Sequence, residues 1–332
     1  MIGRVTPPPP APVVTVIVPG FEVADYAQEA IDSLRAQTLT DWLAVLVDDA
    51  STDATGGIFD AAAAADPRFR VVHHAARGGL SAARNTGLEL VETPFVAFLD
   101  ADDRYTPSAL ERLVATVDAS GSDFAVGAYV RLRPDHDGGN PTGTYVTGVV
   151  QPWVAAATDP ARSGTTLEEH PEASGNIVAW SKVSRTELWR REGLRFPVGK
   201  AYEDQIVAQQ MYTRARAFDV IPDVVVHWRE RFDGTSITQH KGELPVLRDY
   251  LEALAGGIAV LDGAGQPRAA ASRVRLILSM DLPPLVDIGR VHADDAYRRE
   301  LGAFTRELWD RAGDAADLDP AIADTLAAAR LW

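Results

Sequence analysis

The stretch FVAFLDADDRY (95–105) runs an apolar segment straight into Asp100, Asp102 and Asp103. Like charges that close raise one another's pKa, so a positive partner or open water must face them. Mg²⁺ typically takes one or two carboxylates together with substrate phosphates. Asp100 and Asp102, on either side of the small Ala101, can serve in that way; an acidic turn with Asp103 or Thr106 capping a helix is the competing reading. VDDASTD (47–53) sets Asp48 and Asp49 at the end of another apolar run, where a carboxylate can accept from a base N–H or a ribose hydroxyl. In RGGLSAARNTG (77–87) the glycines let backbone approach a ligand, and Arg84 can grip a phosphate or a base. The bland alternative is a glycine turn with a surface arginine. Glu203 and Asp204 open a helical stretch. Neighbouring side chains on a helix point about 100° apart, so one can act as a general base while the other binds a hydroxyl; acidic residues also simply favour a helix N-terminus. In HWRERFDGTS (227–236), His227, Arg229 and Arg231 alternate and share one face of a strand. They can meet a metal and a diphosphate, or form a solvated basic edge.

The elements that must hold these residues follow a rhythm. Apolar, β-branched runs at 13–19, 42–49, 69–74 and 95–100 read as strands. Between and after them, 24–37, 51–65, 79–91 and 106–119 read as helices, the last with Pro107 in its first turn. Strands alternating with helices imply βαβ units, a mostly parallel sheet and an α/β doubly wound fold. Ligands in such sheets bind beyond the carboxyl ends of the strands, which puts Asp48, Asp49, Asp100 and Asp102 on one rim. The rhythm breaks after about residue 128. The 131–175 stretch reads as loop-rich with an edge strand or two, 176–194 as a strand or turn leading into a helix, 200–215 as a helix and 220–231 as a strand. From about 243 the chain is helical, with apolar stripes at Leu247, Tyr250, Leu251, Leu254 and Ile258 and at Tyr297, Leu301, Phe304 and Leu308.

Bulk properties narrow the field. A chain of 332 residues can bury a substantial core. A net charge of −15 without a basic patch argues against nucleic-acid binding. The absence of cysteine excludes disulfides, thiolate metal sites and a cysteine nucleophile, and fits a cytoplasmic protein. No apolar run reaches the ~18 residues of a membrane span. The opening MIGRVTPPPPAP lacks a signal-peptide core and reads as an extended tail over 1–12.

Taken together, VTVIVP (14–19), AIDSLRAQTLTDW (30–42), VLVDDASTD (45–53), GGLSAARNTG (78–87), FVAFLDADD (95–103), AWSKVSRTELWRREGLRFP (179–197) and YEDQ (202–205) resemble the inverting family 2 glycosyltransferases of the GT-A fold. The order and spacing of these stretches, over about 13–240, carry the resemblance. It implies a nucleotide-sugar-binding half at 13–130, an acceptor-binding half with the catalytic base at 131–240, and a helical extension at 241–332. By resemblance, Asp49 beside Asp48 binds the uracil or ribose end of the donor, and Arg84 helps hold the nucleotide. Asp102, with Asp100, holds Mn²⁺ or Mg²⁺ under the diphosphate, and His227 stands where some relatives supply a further ligand. Asp204 is the catalytic base, with Glu203 orienting the acceptor. Trp180 and Lys182 lie near the donor sugar or acceptor, and Arg229, Arg231 and Ser236 approach the diphosphate. Pro19, Phe21, Glu22, Gly79 and Ala101 complete the donor site. Gly20-Phe21-Glu22 replaces the family's common Tyr-Asn or Phe-Asn pair, and Arg77 replaces an asparagine; both bear on how the base is held.

The activity implied is metal-dependent, inverting transfer from a UDP-sugar to a hydroxyl of a glycan, wall polymer or glycolipid. A sugar-phosphate nucleotidyltransferase would carry a glycine-rich basic loop where PGFEVADY stands. A non-catalytic binding module derived from a transferase is the other alternative, against which the intact Asp102 and Asp204 speak. The C-terminal helices leave three roles open: packing on the catalytic domain, self-association, or peripheral contact with the inner face of a membrane.

Overall fold

The computed structural model describes residues 11–137, 140–232, 240–313 and 318–332. Most of the expected proline-rich tail, and Ser236, lie outside them.

Every residue of β1 (Val14–Gly20) is buried. Its β-branched side chains alternate between two faces. Val14, Val16 and Val18 pack with α1 (Ala24–Arg35), α2 (Thr55–Ala65) and α4 (Ala109–Ser120), whereas Ile17 packs with residues of α3 (Leu80–Glu89). The sheet is therefore sandwiched between helical layers, as the α/β reading expects. β2 (Trp42–Asp48), β3 (Phe69–His73) and β4 (Phe95–Phe98) join β1 in parallel. The spatial order β3-β2-β1-β4 lines up the ends of β1, β2 and β4, so the acidic segments that follow them converge.

α3 sits close on β1 because of Gly87. A Cβ there would overlap the Ile17 side chain. Alanine in a helix interior normally stabilises relative to glycine by roughly 0.5–1 kcal/mol. At Gly87 the sign should reverse: Gly87→Ala is expected to destabilise by about 1–3 kcal/mol, read as a lower urea midpoint with an unchanged m-value.

Beyond β5 (Arg104–Tyr105) the sheet becomes mixed. β6 (Phe124–Asp137) pairs antiparallel with β7 (Asn140–Thr147), so the 131–175 stretch holds more structure than its Pro, Gly and Asp content suggests. α5 (Pro152–Thr158), β8 (Arg162–Thr165) and a 3-10 turn (Pro171–Gly175) follow. β9 (Lys182–Arg185) inserts antiparallel between β4 and β6, ahead of α6 (Thr186–Arg191). α7 (Asp204–Arg214) leads to β10 (Phe218–Arg229), which runs parallel to β6.

The C-terminal helices are α8 (Leu244–Gly263), α9 (Pro267–Leu276), α10 (Leu282–Val291), α11 (Asp295–Ala312) and α12 (Pro320–Ala329). A π-helical segment (Ile277–Asp281) joins α9 to α10. Both expected apolar stripes, on α8 and α11, meet in one buried cluster. α8 also packs on α7, and α9 on the 3-10 turn, so this region is docked on the sheet domain. No described helix is long and apolar enough to cross a membrane.

Candidate active site

A cavity of about 770 Å³ opens at the carboxyl ends of β1, β2 and β4. Pro19, Phe21, Glu22, Asp49, Gly79 and Arg84 line it, as do Asp100, Ala101, Asp102, Trp180, Glu203, Asp204 and Arg231. Two of its wall residues, Glu22 and Tyr202, have φ of 50° and 60°, a region that side-chain-bearing residues enter at a cost and that concentrates at functional sites. Glu22 is held there by its carboxylate, which accepts from Thr52 N at 2.7 Å and Thr52 Oγ1 at 2.9 Å.

The two aspartates ending β2 part company. Asp48 accepts from Ser51 N at 3.0 Å and meets His73 Nδ1 at 2.9 Å, so it fastens its own turn and does not line the cavity. Asp49 lines it while accepting from Gly78 N at 2.8 Å and Gly79 N at 2.7 Å. It thereby ties the glycine turn to the end of β2. Gly79, at φ 86°, is the glycine that turn requires. Arg77, at the start of the turn, stacks its guanidinium 4.1 Å from the Phe21 ring. The two departures from the family pattern thus form one pair at the cavity mouth.

Arg84 is buried and links two walls. Its Nη2 donates to Asp100 Oδ1 at 2.7 Å and its Nη1 to Glu203 Oε1. The face of Phe196 lies 5.2 Å away, and the Arg84 Nε has no partner among the described residues. Burial raises the Glu203 pKa, and Arg84 opposes that shift.

The other aspartates after β4 find partners of their own. Asp102 Oδ2 accepts from Arg231 Nε at 2.7 Å. Burial, offset by Arg231, raises the Asp102 pKa. Asp103 Oδ1 accepts from Arg229 N at 2.7 Å, and its other oxygen is buried without a partner among the described residues. Burial, with Asp102 and Asp100 adding, pushes its pKa well above the carboxylate range. Arg229 donates to Asp102 O at 2.8 Å and to Glu29 Oε2 at 2.6 Å. It staples the turn from behind and does not line the cavity. His227 turns away as well: its Nδ1 faces Arg104 Nε at 3.3 Å.

Asp204 is the half-buried first residue of α7 and accepts no hydrogen bond among the described residues. Burial, with neighbouring Glu203 adding, raises its pKa to about 7. Lys182 is buried at the foot of the site. Burial lowers its pKa to about 7, with Asp204 opposing. Its Nζ nonetheless meets Asn176 O at 2.9 Å, Asn176 Oδ1 at 2.8 Å and Val178 O at 2.6 Å, enough acceptors for every proton of an ammonium. Lys182 therefore holds the 176–178 segment in place and does not line the cavity, which Trp180 lines next to it.

The family description "Glycosyl transferase family 2" matches residues 15–180. The chain is a family 2 glycosyltransferase. It is 32% identical over 242 residues to the glycosyltransferase EpsJ of Bacillus subtilis, covering 73% of this chain and 67% of EpsJ. The structure of S. aureus TarS 1-349 in complex with UDP-GlcNAc matches with a TM-score of 0.72 at 21% identity, over 96% of this chain and 87% of that one. The mannosyltransferase PcManGT from Pyrobaculum calidifontis, in complex with GDP-Man and Mn²⁺, matches with a TM-score of 0.52 at 18% identity, over 98% and 88% of the two chains. Those two likenesses establish the GT-A-type fold.

In this glycosyltransferase further parts of the wall come from residues to which sequence reasoning gave no role at the site. Tyr129, Arg131, Trp153 and Trp228 line the cavity from β6, α5 and β10. Lys241, Tyr250, Arg273 and Asp281 close it from the C-terminal region. Tyr250 donates to Asp281 Oδ1 at 2.7 Å, and Arg273 Nη2 donates to Gln205 Oε1 at 2.9 Å. The first bond ties α8 to the π-helical segment, and the second binds α9 to α7, the helix that opens with Asp204.

Proposed function

We propose that this enzyme moves a sugar from a UDP-sugar to a hydroxyl of a glycan, cell-wall polymer or glycolipid, by single displacement with inversion. The observation that carries the reading is Asp204: a carboxylate without a hydrogen-bond partner among the described residues, raised to about 7, in one cavity with Asp100 and Asp102. UDP-GlcNAc in the complex of the fold neighbour TarS supports the uridine donor.

The donor set fits a divalent cation. Asp100 and Asp102 each offer one oxygen to an arginine and keep a second for a cation. No group of three or more His, Asp or Glu able to hold a metal occurs among the described residues, so the donor's phosphates would complete the shell around these two carboxylates. A bound Mn²⁺ or Mg²⁺ supplies Lewis-acid stabilisation of the negative charge building on the departing diphosphate.

The chain's own residues do the rest. Asp204 takes the proton of the acceptor hydroxyl as its oxygen attacks the anomeric carbon opposite the diphosphate, through an oxocarbenium-like transition state. Attack from that side turns an α-linked donor into a β-linked product. Arg84 holds Glu203, next to the base, against Asp100, so base and donor site keep one geometry.

Calorimetric titration with UDP, GDP, TDP and CDP, with and without Mn²⁺, tests the donor site. UDP should bind with Mn²⁺ dependence, and Asp102→Ala should weaken that binding by about ten-fold or more. Equal binding in EDTA would remove the metal's role. No binding of any nucleotide would remove the donor site.

A further inference from the structure

The cations around the cavity differ in how they are matched. Arg84 and Arg231 face carboxylates of the site, and Arg273 meets Gln205 and, at 3.4 Å, Asp281. Lys241 is different. Its ammonium is half-buried in the cavity wall, 4.9 Å from the Tyr250 ring centroid, and has no hydrogen bond or ion pair among the described residues. Arg131 shares this wall. Its Nη1 donates to Glu230 at 2.7 Å and its guanidinium stacks 4.6 Å from the Trp228 ring, and its Nε is buried without a partner among the described residues. Burial holds Lys241 below the ordinary lysine range, Asp281 opposing and Arg131 adding to it, so the two cations feel one another. The nearby carboxylate, Asp281, already faces Tyr250 and Arg273.

An ammonium unmatched among the described residues, beside a guanidinium whose one carboxylate partner is Glu230, on a cavity wall, is a site for an anion. The site belongs to the acceptor side. The ring under Lys241 is Tyr250, which stacks 4.2 Å from Tyr202, two residues before Asp204. The carboxylates Asp100 and Asp102 have arginines of their own. We propose that Lys241 and Arg131 bind an anionic group of the acceptor, a phosphate or a carboxylate, and hold its hydroxyl toward Asp204. The assignment rests on the acceptor reading above and narrows it to polymers that carry charge, such as phosphodiester-linked polyols or uronate-containing glycans.

The test is a binding titration of glycerol 3-phosphate, glucuronate and glucose into the full chain, with and without UDP and Mn²⁺. At least one of the two anions should bind more tightly than glucose, with an affinity that falls as salt rises. The phosphate and carboxylate arms identify which group is preferred. Lys241→Met keeps the stem on Tyr250 and removes the charge; it should weaken the anion by about ten-fold or more. Lys241→Arg should retain binding, and UDP affinity should be unchanged in both variants. The proposal is overturned if neither anion outbinds glucose, or if Lys241→Met binds the anion as wild type does. A loss of UDP affinity in Lys241→Met would overturn it too, by assigning the cations to the donor diphosphate. Failure of UDP to bind the wild type would fault the donor reading instead, and the anion titration without UDP would still stand.

Discussion

Asp204→Asn is expected to lower transfer by about 10²–10⁴-fold while Mn²⁺-dependent UDP binding stays near wild type. The variant keeps the shape and removes the function proposed for the side chain, accepting the acceptor's proton. The wild-type pH profile should carry the same signature. A base works only when deprotonated, and burial together with Glu203 raises Asp204 to about 7. The rate should therefore rise as pH climbs through about 7 and flatten above it, a rise the asparagine variant should lack. Stability should move the other way. A folded-state pKa above the unfolded value means that the folded chain holds the proton more tightly, so Asp204 stabilises at low pH and loses that contribution as pH rises from near 4 toward 7. Above that window the charged carboxylate is a burden that asparagine removes, so Asp204→Asn should melt at or above the wild-type temperature at pH 8. A slow variant that is no less stable points to chemistry; a slow variant that melts early would point to damage.

The site was readable where its residues are tied to local pattern. Asp49, Asp100 and Asp102 follow apolar strands, the glycine turn precedes Arg84, and Asp204 opens a helix; strand ends and helix starts can be found in a single sequence. The readings that the structure redirects depend on contacts across the chain. Asp48 looks equivalent to Asp49, but Ser51 and His73 take its oxygens. Arg229 looks like a phosphate ligand, but its partner Glu29 lies 200 residues away in sequence. His227 and Arg231 were placed on one face by strand alternation, yet β10 ends at Arg229, so the alternation stops before Arg231 and the two side chains go separate ways. Lys241, Arg273 and Asp281 carry no local signal at all, and Tyr250 reads only as part of an apolar stripe. They reach the cavity because the apolar stripes of α8 and α11 pack together and α8 lies on α7. The stripes were legible; which polar residues they would carry to the cavity wall was not.

Arg84→Met is the substitution expected to damage the fold most, by about 3–5 kcal/mol. Arg84 has 2% of its side chain exposed, and Glu203, which it holds, has 4%. A buried ion pair contributes little over a well-packed apolar replacement of both partners, because desolvating the charges offsets their attraction. Removing one partner alone is another matter, since the remaining carboxylate keeps its desolvation cost with nothing to offset it. Glu203 already has a raised pKa, with Arg84 working against that shift; without Arg84 it should rise further and take up a proton. Asp100 would lose its 2.7 Å contact as well. Adding Glu203→Gln to Arg84→Met should therefore recover part of the lost stability, a non-additivity that urea denaturation of both single variants and the double variant measures. Arg84→Lys should rescue poorly, because one ammonium cannot reproduce a planar fork that reaches two walls of the cavity at once. Additive single losses would mean that Arg84 acts through its packing on Phe196. Recovery in the double variant would mean that the enzyme keeps a buried arginine there to hold Glu203, beside the proposed base, against Asp100 at the end of β4.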